Sequence, residues 1–442
     1  MLSKDELKRK ASAAIDSHGE EIVRAAKTVE GHPETGFREV KTSALVSEKL
    51  RGWGVPVQNG IAITGLRAHL NGGAPGPTVA VLGELDSLMV PGHPSADLLT
   101  GAAHACAHHT QIGMVLGVVA GLQATGVLPA LSGRVALMAV PAEEYIEVEF
   151  REQLRSQGRV EFLGGKPEFI RLGQFDDVDM AMMTHSTNTG DHRKLLLGGT
   201  NNGVLAKQVQ FIGKAAHAGG APWQGINALN AATIALTAIN ALRETFRDGD
   251  TVRVHPIITR GGASVNSVPA DVRLETFVRA RTVPVMMETA ERVDRCFRAG
   301  ALATGARVKI TTLPGYLPLI NDPHLAELYR RNAEELVGKD AVGHIRHRGS
   351  STDMGDVSNL IPAIQPYAAG AEGSAHGADY VIQDWDVAVL TAAKAMTWCV
   401  IDLLAEGAAL AYEVKAKHRP KMTKPEYLAT MRGLRQEQTY AE

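Results

Sequence analysis

The sequence predicts an α/β fold: a larger domain with a mixed, largely parallel sheet flanked by helices, interrupted by a smaller α/β domain. Three observations carry this. Short apolar runs at residues 78–82, 134–140 and 179–184 read as buried strands and alternate with stretches of helical periodicity. Each run leads into polar residues: Glu84 and Asp86 after the first, Glu143 and Glu144 after the second, His185 after the third. If the strands are parallel, these ends meet at one sheet edge, where open α/β sheets place their sites. The stretch Gly198-Gly199-Thr200-Asn201-Asn202-Gly203 fits a hinge, and beyond Pro318 the texture of the first part returns.

The elements follow in order. Leu7, Ala11, Ala14, Ile15, Ile22, Val23 and Ala26 recur at helical spacing, which predicts an amphipathic helix over 4–28; Val40, Ala44, Leu45 and Leu50 predict a second over 40–53. A third helix is expected over 111–122, with Thr110 as its N-cap. After the hinge come a strand at 204–211, a helix at 226–247, strands at 251–258 and 271–280, a helix at 284–298 and a strand at 308–312. Pro284 suits the first turn of its helix, where a missing N–H costs nothing. Then follow a helix at 323–337, a Gly/Ser-rich loop at 349–356 and a long apolar helix at 387–408. Residues 1–198 and 315–442 are therefore expected to form one domain, and 199–314 the inserted one. The tail from Lys415 begins basic (Lys415, Lys417, Arg419, Lys421, Lys424) and reads as solvated or as a helix packed on a partner subunit.

Composition excludes several classes. The 442 residues are 45% hydrophobic and 21% charged, ordinary for a globular protein, and the formal net charge of -2 gives no field suited to nucleic acid or an anionic membrane. Cys106, Cys296 and Cys399 are too few and scattered for a disulfide framework. The charged start MLSKDELKRK lacks the apolar core of a signal peptide, and no long uncharged apolar stretch predicts a membrane span. A thiol kept for metal suits a reducing compartment, so a cytoplasmic location is expected.

The chemistry concentrates in GAAHACAHHTQIG, residues 101–113, and in Pro141-Ala142-Glu143-Glu144. The first places His104, Cys106, His108 and His109 within six residues; Cys106 and His108, two apart, can point the same way in an extended or turning segment. The second sets two carboxylates directly after an apolar run. Sulfur, nitrogen and oxygen donors suit zinc, manganese or a similar divalent ion. Buried side by side, Glu143 and Glu144 cannot both ionise cheaply; an ion that binds one relieves the conflict and leaves the other free to move protons. Taken singly, Cys106 reads as a small buried hydrophobe, His185 and His376 as structural histidines, and the glutamates as a solvated pair at a helix start. The cluster as a whole is what points to a metal site.

With these residues in view, the chain resembles the M20 family of metallopeptidases and amidohydrolases, most of all its aminoacylase-like and aminobenzoyl-glutamate hydrolase-like subfamily. The motifs stand in the family's order: Gly83-Glu84-Leu85-Asp86, His104-Ala105-Cys106-Ala107-His108, Pro141-Ala142-Glu143-Glu144, Met182-Met183-Thr184-His185, Asn266-Ser267-Val268-Pro269-Ala270-Asp271 and His376. The resemblance implies metal ligands at Cys106, His108, Glu144, His185 and His376, with one or two zinc or manganese ions per chain. It implies Glu143 as general acid/base and Asp86 as a carboxylate behind the ligands. The larger domain becomes the catalytic one and the inserted domain a lid and dimerisation domain, whose His217 reaches a neighbouring subunit's site in a homodimer or a dimer of dimers. Asn266 and Arg279 are candidates for gripping a substrate carboxylate, although Arg279 reads equally well as a surface strand charge. Departures lie beside the site: Ala107 stands where relatives carry Gly, His109 where they carry Asp or Asn, and Tyr145 to Phe150 where they carry small residues. His109 is an extra ligand, a proton carrier or a packed residue, and is counted with the substrate-binding candidates. The expected activity is metal-dependent hydrolysis of a C–N bond in a small N-acyl or N-aroyl amino acid. The alternatives are an aminohydrolase releasing ammonia from an aromatic amine and a non-catalytic small-molecule binding protein on the same fold.

Overall fold

Apolar runs become the inner strands of a six-stranded sheet in the computed structural model, which describes residues 2–441. The strand order across that sheet is Val57–Ile61, Gly65–Asn71, Ser132–Val140, Ala74–Glu84, Met180–Met182 and Ala363–Ile364. The central pairings are parallel, with Val79 opposite both Val135 and Met180 and Glu84 opposite Val140; the first two strands add antiparallel. The sheet is thus mixed and largely parallel. Its central strands are buried on both faces, which is why they read as continuous apolar runs. Parallel pairing carries the ends of two neighbouring strands, with Glu84 and the Glu143–Glu144 pair beyond Val140, to the same edge.

Helix His108–Leu122 is buried along its whole length and lies against Lys4–Ser17, Gly19–Glu30 and Ala392–Leu404, forming with them the main apolar core. It starts earlier than the sequence suggests. Ala107 takes a left-handed backbone (φ 64°), and Thr110 is no N-cap: its hydroxyl donates to the Ala107 carbonyl at 2.8 Å. His108 therefore sits on the first turn. The long helix expected over 4–28 is two helices broken at His18, whose φ/ψ of -95°/2° leaves the helical region. The expected strand at 179–184 ends at Met182; His185–Ser186 pairs instead with Tyr367–Ala368 in a separate small sheet. The segment Asp386–Leu404 is long and apolar enough to cross a membrane and is mostly buried inside this unit.

The chain divides into two compact units. The first comprises residues up to Thr200, Ile320–Arg346 and Asp356–Lys421; the second comprises Asn201–Leu319, His347–Gly355 and the chain from Met422 onward. In the second, an antiparallel sheet runs in the order Arg253–Val254, Asp271–Ala280, Gly203–Ile212, Arg307–Tyr316 and Gln436–Tyr440, with Ile257–Arg260 also on Asp271–Ala280. Helices Ala228–Leu242 and Val283–Thr304 pack on each other and on this sheet. The expected strand at 251–258 breaks at His255-Pro256, where proline has no N–H for the ladder.

The tail requires a correction. Sequence reading assigns everything from 315 to 442 to the first unit and leaves the tail solvated or on a partner. Instead Lys424–Leu434 is a helix with a capping box between Thr423 and Glu426, and Gln436–Tyr440 pairs antiparallel with Arg307–Tyr316 in the second unit. An ion pair from Lys309 to Glu437 at 2.8 Å and the guanidinium of Arg298 over the Tyr440 ring hold this strand in place. Its polar sequence hides its strand character because both of its faces are largely exposed.

Candidate active site

Five of the sequence candidates meet in the first unit. Donor atoms of Cys106, His108 and His185 lie within 4.8 Å of one another, as do those of Cys106, Glu144 and His376. Cys106 Sγ is 3.4 Å from His185 Nε2, and His376 Nε2 is 3.2 Å from Glu144 Oε1. Local structure explains the aim. The left-handed turn at Ala107 reverses the chain between Cys106 and the helix that carries His108; glycine is the usual occupant of such a backbone, and alanine fills it here at some strain. His108 Nδ1 lies 2.9 Å from the Asp86 carbonyl and 3.2 Å from its carboxylate, so that nitrogen carries the proton and Nε2 faces the cluster, the orientation seen in carboxylate–histidine–metal arrangements. Asp86 thus stands behind a ligand position. His185 is fixed likewise by its own contact from Nδ1 to the Ser186 carbonyl at 2.7 Å.

The residues present fit a metal ion. His108 Nε2 and Glu144 Oε1 are buried and make no hydrogen bond, although Glu84 and His376 stand 3.0 and 3.2 Å away. Both atoms face the cluster of donors, where an ion would satisfy them. The charges agree. Burial and Glu144 push the Cys106 thiol up, but His108, His185 and His376 outweigh them and bring it to about 6. The Glu144 charge holds His376 far above the usual imidazole value, at about 12. Burial opposes a charged His108, yet Glu84 and Cys106 keep its pKa well raised. These groups all favour forms that a divalent cation would replace or stabilise.

Two further groups stand at the site: Glu84, which the sequence marks as a strand end without a role, and Lys166, which it does not mark. Glu84 Oε2 is 3.0 Å from His108 Nε2, and Glu84, His108 and Glu143 form a third close set. Behind Glu84 lies Lys166, fully buried, with its ammonium on Oε1; Gln111 donates to Oε2 at 2.8 Å. Burial alone would raise the Glu84 carboxyl; Lys166 and the nearby imidazoles bring it down to about 2. The spacing Glu84-x-Asp86 was the available signal for the glutamate. Lys166 had none beyond its glycine neighbours. A Cβ at Gly165 would collide with the Pro141 carbonyl, so only glycine lets this helix approach the strand end closely enough for Lys166 to reach Glu84.

Glu143 Oε2 is 3.8 Å from His108 Nε2, beside the ligand set. His109 is packed rather than open to a substrate: it is buried, with its ring 5.1 Å from His104 and 5.5 Å from Trp385. Burial lowers its pKa to about 3, which leaves it neutral. The remaining candidates belong to the second unit. Exposed His217 accepts from the N–H groups of Gly219 and Gly220 through Nδ1, which places its proton on Nε2. Ala218 N–H donates to the Asn266 carbonyl at 2.9 Å, so His217 and Asn266 are neighbours. Arg279 stands over the Phe277 ring at 5.1 Å, opposite Arg253 on the adjoining strand.

Comparison with known proteins agrees with this geometry. Residues 80–397 match the model of peptidase family M20/M25/M40. The chain is 29% identical to the Xaa-Arg dipeptidase of Mus musculus over 429 residues, covering 91% of this chain and 90% of the relative. It is 25% identical to the N-acyl-L-amino acid amidohydrolase of Geobacillus stearothermophilus, covering 79% and 88%. A dinuclear metal-binding peptidase of the M20 family from Bacillus subtilis shares the fold, with a TM-score of 0.63 at 18% identity over 88% of this chain and 99% of that one. The chain belongs to peptidase family M20/M25/M40 and is a metal-dependent hydrolase of C–N bonds.

Proposed function

We propose that the protein hydrolyses the amide bond of a small N-acyl or N-aroyl amino acid, with Cys106, His108, Glu144, His185 and His376 as metal ligands and Glu143 as general acid/base. The observation that carries this reading is the division of labour in the glutamate pair. Glu144 faces His376 within the ligand set, while Glu143 lies beside it, close enough to serve a reacting water. Cys106 belongs to two of the three close sets of donors, and together they would hold one or two ions, zinc or manganese. When bound, such ions lower the pKa of water and polarise a carbonyl. Glu143 takes the proton of the attacking water and returns it to the leaving nitrogen. The Nε2–H of His217, supplied by a second copy in a homodimer, faces the negative charge that develops on the carbonyl oxygen. Asn266 and Arg279 hold the carboxylate of the amino acid product, Arg279 through paired hydrogen bonds.

Support for an amino acid amide comes from the relatives: one acts on Xaa-Arg dipeptides and another on N-acyl-L-amino acids. A working thiolate ligand fits the reducing cytoplasm. The test is a panel of N-acetyl and N-benzoyl amino acids, aminobenzoyl-glutamate, dipeptides ending in arginine, and free aminobenzoates, scored for amine and for ammonia. Release of an amino acid from the acylated compounds is expected. Ammonia from the aminobenzoates with no amide cleavage would overturn the reading.

A further inference from the structure

Arg151 takes no part in the chemistry above, yet its guanidinium lies against the backbone that carries it. It sits on the helix Val148–Ser156, just past the stretch Tyr145 to Phe150, and is fully buried. One terminal nitrogen donates to the carbonyls of Leu163 at 2.8 Å and Ala142 at 3.3 Å; the other donates to the Glu144 carbonyl. Ala142 and Glu144 flank Glu143. The adjoining peptides are held too. Glu39 accepts from the Ala142 N–H at 2.8 Å, and Asp86 accepts from the Glu144 N–H at 2.9 Å. Ala142 itself has φ 56°, a left-handed conformation that persists only where the surroundings enforce it.

The neighbourhood is shaped for this cation. The rings of Phe37 and Tyr145 stand 5.5 and 6.0 Å from the guanidinium carbon. A Cβ at Gly36 would lie 2.8 Å from the Ala142 Cα and closer still to an Arg151 nitrogen, so a residue without a side chain is needed for both to approach. A fully buried guanidinium bonded to backbone carbonyls is a costly way to fill a core, and hydrophobic residues of similar volume stabilise such places as well or better. What the arginine adds is fixed geometry: its planar fork dictates where two carbonyls point.

We propose that Arg151 is a positioning residue that locks the peptide before Glu143 and the peptide after Glu144, with Asp86 holding the peptide between them, and so aims Glu143 at the reacting water while Glu144 faces the metal. This rests on the roles proposed for the two glutamates. The test compares Arg151→Lys, Arg151→Met and Gly36→Ala with the parent enzyme, all metal-loaded, on the best amide of the panel. Metal content, kcat, KM and thermal unfolding are read for each, with Glu143→Gln alongside. Expected are a fall in kcat of about 10–100-fold for Arg151→Met, an unchanged KM, full metal content and partial recovery in Arg151→Lys. Gly36→Ala, which displaces the guanidinium without removing it, is expected to reproduce the kcat loss. A folded Arg151→Met with parental kcat would overturn the proposal. So would loss of folding in both Arg151→Met and Gly36→Ala with Arg151→Lys fully active, which would show a purely structural role. An active Glu143→Gln would instead remove the reading on which the proposal rests; an inactive Glu143→Gln beside a fully active Arg151→Met would sink the positioning role alone.

Discussion

Glu143 and Glu144 are adjacent in sequence and differ in what they face, and single substitutions can separate them. Replacing Glu143 by Gln removes the proposed proton carrier and keeps the shape. Turnover should fall by about 10²–10⁴-fold or more, with the metal still bound; parental turnover would refute the role. Cys106 is testable through protonation. Its thiol lies near 6 in the metal-free protein because the three imidazoles outweigh burial and Glu144. Only the thiolate binds metal, so uptake should weaken further as the pH falls through that value, beyond the loss that comes from protons His108 and His376 must shed. Equilibrium dialysis against zinc or manganese across that range checks the sign, and Cys106→Ala should flatten the dependence. The ligand types could be read from the sequence because a thiol and imidazoles cluster at residues 104–109 and a carboxylate pair follows the next apolar strand at Glu143 and Glu144. His109 could not be placed that way: adjacency to His108 says nothing about what the next face of the helix meets, and there it packs on His104 and Trp385.

At the scale of elements, the groups behind the site depend on close approaches that no local pattern announces. The helix Gly165–Arg171 reaches the end of Ser132–Val140 through Gly165 and brings Lys166 onto Glu84. Lys166→Met should leave Glu84 buried without its main counter-charge, a loss of about 3–5 kcal/mol, measured by urea unfolding of the metal-loaded protein. An unchanged midpoint would show that the ion pair contributes nothing net. Glu39, just before the helix Val40–Gly52, offers a pH signature. Burial, and then the Asp86 charge, raise its carboxyl to about 8. A carboxyl raised on folding binds more protons in the native state, so its contribution is fully present below the unfolded value and is lost as the pH rises to about 8. Glu39→Gln should therefore lose less stability than the parent between about pH 5 and pH 8; parallel loss in both would contradict the assignment. The strands and most helices were legible because burial on both faces leaves apolar runs and burial on one leaves a helical stripe. The break at His18 and the left-handed entry at Ala107 were not, since each is decided by packing rather than by residue type.

Across the whole chain, the tail is where sequence and structure part most clearly. Gln436–Tyr440 is polar on both faces, which reads as solvated, yet it closes one edge of the second unit's sheet. Deleting the chain after Lys421 would bare the edge of Arg307–Tyr316, and exposed edges pair with other chains. The truncated protein should aggregate or form larger species in light scattering; an unaltered size would show that the edge needs no cover. The mixed, largely parallel sheet and the second α/β body followed from periodicity and strand ends, which are local features, whereas the full ligand set, spread from Cys106 to His376, followed from the family resemblance. The tail's pairing and the buried arginine and lysine are long-range choices. The measurement that tests the central claim most directly is the metal content of the protein purified without chelator, taken with its amide hydrolysis before and after chelation. One or two equivalents of zinc, manganese or a similar ion per chain, activity lost with the metal and restored on its return, are predicted. Hydrolysis that persists in protein without metal would contradict the account.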